Sequence, residues 1–284
     1  MIFGLVAALG FGLADFEGAI AGRRIGSLWT VILGQTLSAA VMTVVFVGTG
    51  ATLSVLAPLA GLIALNGICV ATAYQTHYRA LELGPVAVVS PIGSAYAVIG
   101  VLLAVVFLGE RPGSVALVGT VVTVLGVALV STDLRELRAG IRGVAPGVPW
   151  ALVSTVAFGV AGFLLGYLSQ QAGWVAGLWA SRMAQVICYI PLAFLARSHL
   201  PRIRDRRGLW FAFIAAVADL VGVIGLSVGS ERGYVSVTLA ASAVFPLIAV
   251  VLSLLILHER LVANQFVGIA LVVVGLLMLG FGSH

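Results

Sequence analysis

The sequence contains no lysine, and charged residues of either sign make up only 9% of its 284 positions. An ordinary globular domain carries roughly 25%. A soluble fold of this size covers its surface with polar groups, and this chain has too few to do so. Without lysine there is no Gly-x-x-x-x-Gly-Lys phosphate loop, which excludes ATP-driven pumping by this chain alone. Cysteine is as scarce. Cys69 and Cys188 both fall inside apolar runs, which gives neither a disulfide framework nor metal-ligand spacing. The histidines, at 77, 199, 258 and 284, are scattered, so no cluster for metal or nucleophilic chemistry is expected. The net charge of +5 is all arginine, placed mostly in short connections between apolar runs, which argues against nucleic-acid binding.

What is abundant is apolar: 61% of the chain. A transmembrane helix needs roughly 20 mostly apolar residues. The sequence predicts ten such spans, at 2–20, 28–47, 58–78, 86–108, 114–130, 148–169, 174–196, 209–230, 235–257 and 263–281. The runs are about twice the length of barrel strands and lack their alternation, so they read as helices. Trp29, Trp150, Trp174 and Trp210 stand at run edges, where interfacial anchors belong. The first run is expected to be a span and not a cleaved leader. The longest connections, 131–147 and 197–208, leave no room for a soluble domain.

The chain also repeats. An offset of 149 pairs Glu82 with Glu231, Gly84 with Gly233, Glu110-Arg111 with Glu259-Arg260, Gly119 with Gly268, and Gly126 with Gly275. An offset of 147 pairs Phe11-Gly12 with Phe158-Gly159 and Phe16 with Phe163. The expected units are a first repeat at 1–131, a connection at 132–147 and a second repeat at 148–284. Five spans is an odd number, so the second repeat enters the membrane in the opposite sense. Inverted repeats with a site between them typify secondary transporters. The odd-numbered connections hold Arg23, Arg24, Arg79, Arg135, Arg138, Arg142, Arg197, Arg202, Arg204, Arg206, Arg207 and Arg260, against Arg111 and Arg232 opposite. That bias places both termini outside.

These segments resemble the drug/metabolite transporter superfamily, EamA type. The resemblance is carried by 78–92, by 108–112 with Gly119 and Gly126 following, and by 257–261 and 265–268 in the second half. It spans essentially the whole chain and implies ten helices in two five-helix repeats. It also implies transport of amino acids, other metabolites or drugs, with export more common than import. The first repeat departs from the pattern at Asp15 and Glu17. A carboxylate in the first span also resembles the proton- and substrate-binding Glu of small multidrug-resistance proteins, though the motif around it does not match.

Ionisable groups inside a span cost several kcal/mol and usually serve function or pair internally. Four stand out: Asp15, Glu17, Arg182 and Asp219. Asp15 and Glu17 flank a stripe of small residues (Gly10, Ala14, Gly18, Gly22) on opposite sides, and spacing does not choose between them. Arg182, Gln185 and Tyr189 share a helix face, where the guanidinium is set either to clamp an anionic substrate or to pair with Asp219 or Asp15. Asp219 is the acid expected to carry proton coupling, with a fixed salt bridge as the alternative. Asn66, Tyr74 and His77 lie within about 80° around one helix, and Asn66 and Tyr74, with Gln185, are expected to line a polar cavity, while His77, near the helix end, is expected at the interface. Gln35 is isolated in the second span. Pro91 with Gly93, and Pro246, interrupt corresponding spans, which makes Ser90, Tyr96, Ser242 and Phe245 expected cavity-lining residues. Glu110, Arg111, Glu259 and Arg260 are expected to pin turns.

The expectation is a multi-pass protein of the inner or plasma membrane. It would move a small metabolite by alternating access, outward and with protons, as a monomer or homodimer without cofactor or metal. A membrane-embedded enzyme and a membrane scaffold are the rival readings.

Overall fold

In lipid no water is available to bond backbone amides and carbonyls, so a long apolar run closes its own hydrogen bonds as a helix. The computed structural model describes residues 2–110, 113–130, 144–196 and 205–281, apart from the side chains of 116, 117, 120, 195, 196 and 279–281. It is all-helical, with a helical rod on each of the ten apolar runs. The first repeat gives α1 (Ile2–Ile25), α2 (Ser27–Gly48), α3 (Ala60–Leu83), α4 (Val86–Ser94), α5 (Tyr96–Leu108) and α6 (Ser114–Val130). The second gives α7 (Val148–Ala172), α8 (Trp174–Ala196), α9 (Arg206–Arg232), α10 (Val235–Ser242), α11 (Pro246–Ile256) and α12 (Ala263–Phe281). Eight rods are long and apolar enough to cross a bilayer, counting α4–α5 and α10–α11 as one each. The shorter α6 and α12 make ten. Arg111 and most of the two Arg-rich connections lie outside the described residues.

Several helices run past their apolar stretch. α1 continues through Arg23 and Arg24, and α9 begins at Arg206 behind an Asp205 cap that accepts from the amides of Arg207 and Gly208. Arg24 bonds Asp205 at 3.0 Å and, with those two amides, holds this exposed carboxyl below its usual range. The fourth and ninth rods each break in the middle. Pro246 has no N–H to give Ser242, where α10 ends, and its ring crowds that carbonyl. In the fourth rod, Pro91 lies inside α4 and the Ser94 hydroxyl takes the Pro91 carbonyl at 2.8 Å, just before the break at Ala95. The two breaks fall at equivalent places although the prolines do not.

Packing follows the repeat. α1 lies along α9 as α7 lies along α3; α3 meets α8 as α9 meets α2; α5 meets α7 as α11 meets α1. The α2–α8 and α6–α12 pairs map onto themselves. Large apolar side chains such as Val44, Phe107, Ile187 and Leu255 face outward, while Arg182, Gln185, Asn66 and many serines are buried. This is the inversion that a lipid surround permits. Without a hydrophobic drive between helices, close approach at small residues holds the bundle. A Cβ on Gly10 would lie 2.5 Å from the Ala218 carbonyl oxygen, so α1 and α9 touch backbone to backbone. Between α6 and α12 the repeat glycines face each other: a Cβ on Gly268 would lie 2.5 Å from Val130 N and 2.9 Å from Gly126 O. Gly268→Val is therefore expected to force these helices apart. It should lower thermal stability in detergent by about 1–3 kcal/mol or more; an unchanged melting temperature would contradict this packing.

Candidate functional site

α1, α3, α7 and α9 come together in mid-bundle, where small residues leave space that aromatic ones border. The result is a cavity of about 80 Å³. Its lining is paired across the repeat. At the 147 offset, Phe11 and Phe158, Ala14 and Ala161, and Asp15 and Gly162 all line it. At the 149 offset so do Val70 and Asp219, Tyr74 and Val223, His77 and Leu226, and Tyr96 and Phe245. The cavity thus lies between the two halves. Its shape follows the repeat but its chemistry does not: Asp15, Tyr74 and His77 of the first half stand opposite Gly162, Val223 and Leu226.

Two charged clusters border this space. In one, Arg182 of α8 is 2% exposed and meets Asp219 of α9 at 3.2 Å. Its other terminal nitrogen donates to the carbonyl oxygens of Gln35 at 2.6 Å and Gln185 at 2.8 Å. Tyr74 donates its hydroxyl proton to Asp219 at 2.5 Å, and its ring lies 5.3 Å from the guanidinium carbon. The pair is buried, opposite in charge and hydrogen-bonded on both sides, which is what a buried ion pair needs to persist. Arg182 and Gln35 are themselves equivalent at the 147 offset, so this bond joins α2 to α8 near the axis of the repeat.

In the second cluster, His77 Nε2 lies 2.8 Å from Asp15 Oδ1, and Ser90 donates to Asp15 Oδ2 at 2.5 Å. Asp15 and His77 are both buried. No guanidinium bonds Asp15 among the described residues. His77 Nδ1 is 3.5 Å from the Ser154 hydroxyl, whose own proton goes to the Ala151 carbonyl at 2.7 Å. With one proton shared between them, the Asp15–His77 pair is anionic; with a second on Nδ1, facing the Ser154 oxygen, it is neutral. The structure places His77 well inside the bundle and not at the interface, because α3 runs on to Leu83.

Of the residues singled out by sequence, the cavity brings together Asp15, Tyr74, Tyr96, Arg182, Asp219 and Phe245. Asn66, Gln185 and Ser242 stand behind its wall. Asn66 donates to the Ala161 carbonyl and accepts from Ser181, joining α3 to α7 and α8. Ser242 is hydrogen-bonded to Tyr96, so the ends of both broken helices meet there. Glu17 is half-buried, does not line the cavity, and its Oε2 has no hydrogen-bond partner among the described residues. His77, selected by spacing but expected at the interface, lines it too, and so do Phe11 and Phe158, two phenylalanines that spacing alone did not select. The 147 offset, which already pairs the two phenylalanines, is the signal that finds them.

Glu259 does more than pin its own turn. Its carboxylate accepts from the amides of Val86 at 3.0 Å and Ala87 at 2.9 Å, capping α4 in the other half. It also meets Arg23 at 3.1 Å. Glu110 makes no such contact to α10 among the described residues, and its Oε2 is buried without a partner. Arg260 is exposed.

The model of the EamA-like transporter family matches residues 1–132 and 145–281. An uncharacterised protein of Methanocaldococcus jannaschii is 33% identical over 81 residues, which are 28% of this chain and 59% of that relative. A solved crystal structure superimposes with a TM-score of 0.67 at 19% identity, covering 99% of this chain and 96% of the other, and so shares the fold.

Proposed function

The chain belongs to the EamA-like transporter family, multi-pass membrane transporters of the drug/metabolite type and not enzymes, and we propose that it moves a small metabolite out of the cell in exchange for a proton held at Asp15 and His77. The observation that carries this reading is the Asp15–His77 pair on the wall of a cavity between the two halves. Asp219 is held by an arginine partner and a tyrosine donor. Asp15 has neither, and its neighbour His77 has two ring nitrogens that can each carry a proton, one facing Asp15 and the other the Ser154 oxygen. We therefore assign the proton to Asp15–His77 and a fixed, charge-balanced role to Arg182–Asp219.

The aromatic walls suit a compact substrate with an apolar body and one polar or cationic group, such as an amino acid or a small drug-like amine. The arginine bias supports an orientation with both termini outside, in what we take to be the inner or plasma membrane. The test is transport of a labelled panel of amino acids and amines in proteoliposomes, with a pH gradient imposed in either direction. Accumulation of a compound against its gradient, reversed when the pH gradient is reversed, is the expected result. Movement insensitive to the gradient for every transported compound would contradict coupling.

A further inference from the structure

We propose that Glu110 and Glu259 are alternating latches: Glu259 closes one face of the bundle by capping α4, and Glu110 closes the other by capping α10 in the opposite access state. The two carboxylates are equivalent at the 149 offset, and so are their targets, since Val86 and Ala87 correspond to Val235 and Ser236. The surroundings correspond as well. Arg23 donates to the carbonyls of Leu81 and Gly84; its 147-offset counterpart Gln170 donates to those of Ser230 and Gly233, which are the equivalents of Leu81 and Gly84. The turn that aims each carboxylate is also the same. Gly109 has φ 69° and His258 has φ 52°, a left-handed residue just before each glutamate. Glycine adopts that conformation freely and histidine does not, so the Glu259 turn holds strain that its contacts must offset.

The contact itself differs. Glu259 bonds two amides of α4 and Arg23, whereas Glu110 has a buried oxygen without a partner. A carboxylate at a helix N-terminus satisfies free amides and faces the positive end of the dipole. Two equivalent latches of which one is engaged describe a molecule closed on one face. Exchanging the conformations of the two halves engages the other. The latches also differ in strength, because Arg23 adds a cation to the Glu259 latch where Gln170 adds none. The face closed by Glu259 is the more firmly held.

The inference rests on alternating access but on neither the substrate nor the proton site. Its test is amide hydrogen exchange on the full-length protein in lipid nanodiscs, following segments 84–90 and 233–239. Glu259→Gln is expected to speed exchange at Val86 and Ala87 and to slow it at Val235 and Ser236, by roughly tenfold or more. Adding Glu110→Gln is expected to abolish the slowing. Arg23→Gln, which copies the second half and keeps both carboxylates, should give the same shift and decides the matter if Glu259→Gln does not fold. Faster exchange at Val86 and Ala87 with no slowing at Val235 and Ser236, or slowing that survives Glu110→Gln, would overturn the latch. A latch that behaves as expected in a protein that carries no compound would leave the latch standing and sink the transport reading.

Discussion

Asp219→Ala alone is expected to destabilise the protein by about 3–5 kcal/mol, the usual consequence of leaving one buried charge without its partner. Arg182 is almost wholly buried, and Asp219 is its one anionic partner among the described contacts. The carbonyl oxygens of Gln35 and Gln185 would remain as acceptors, but neither carries charge. Removing both charges, as in Arg182→Met with Asp219→Ala, is expected to recover most of the loss, since apolar residues of similar volume replace buried ion pairs at little cost. Thermal unfolding of the four proteins in detergent gives the coupling. Single losses that simply add in the double variant would show that the two side chains do not depend on each other.

Asp15→Asn is expected to abolish gradient-driven accumulation while leaving downhill exchange of substrate measurable. One pH unit stores about 1.4 kcal/mol per proton. With the membrane potential collapsed, one-for-one exchange therefore supports roughly tenfold accumulation. Asparagine keeps an acceptor for Ser90 but cannot share a titratable proton with His77, so the accumulation ratio is expected to fall to about one. His77→Gln is expected to do the same, since Gln reaches Asp15 but does not titrate. Full accumulation in both variants would place the proton elsewhere.

The ten rods and their repeat were legible in the sequence because lipid imposes long apolar runs, and because glycines and the Glu-Arg steps recur at fixed offsets. Arg182 and Asp219 were legible as a possible pair for the same reason that they are costly: few ionisable groups lie in the spans. His77 was harder. Hydropathy ends the third run near Tyr78, but the charges beyond it are satisfied locally. Arg79 pairs with Glu82 at 2.9 Å, and Glu82 accepts from the Ser27 amide at 3.2 Å. The helix therefore continues and His77 is carried inside. Asn66, Gln185 and Ser242 went behind the cavity wall because helical spacing gives the angle between residues and not the face that a neighbour covers. The reach of Glu259 to α4 is a contact between halves, and nothing in its own turn specifies it.

The most direct test of the central claim is proton flux into proteoliposomes on adding a transported compound, compared among wild type, Asp15→Asn and a folded Arg182–Asp219 double variant lacking both charges. The account predicts flux in the wild type, none in Asp15→Asn, and flux that persists, at whatever rate transport persists, in the double variant. Flux that survives Asp15→Asn and vanishes with the Arg182–Asp219 pair, while the compound still moves, would contradict it and return the proton to Asp219.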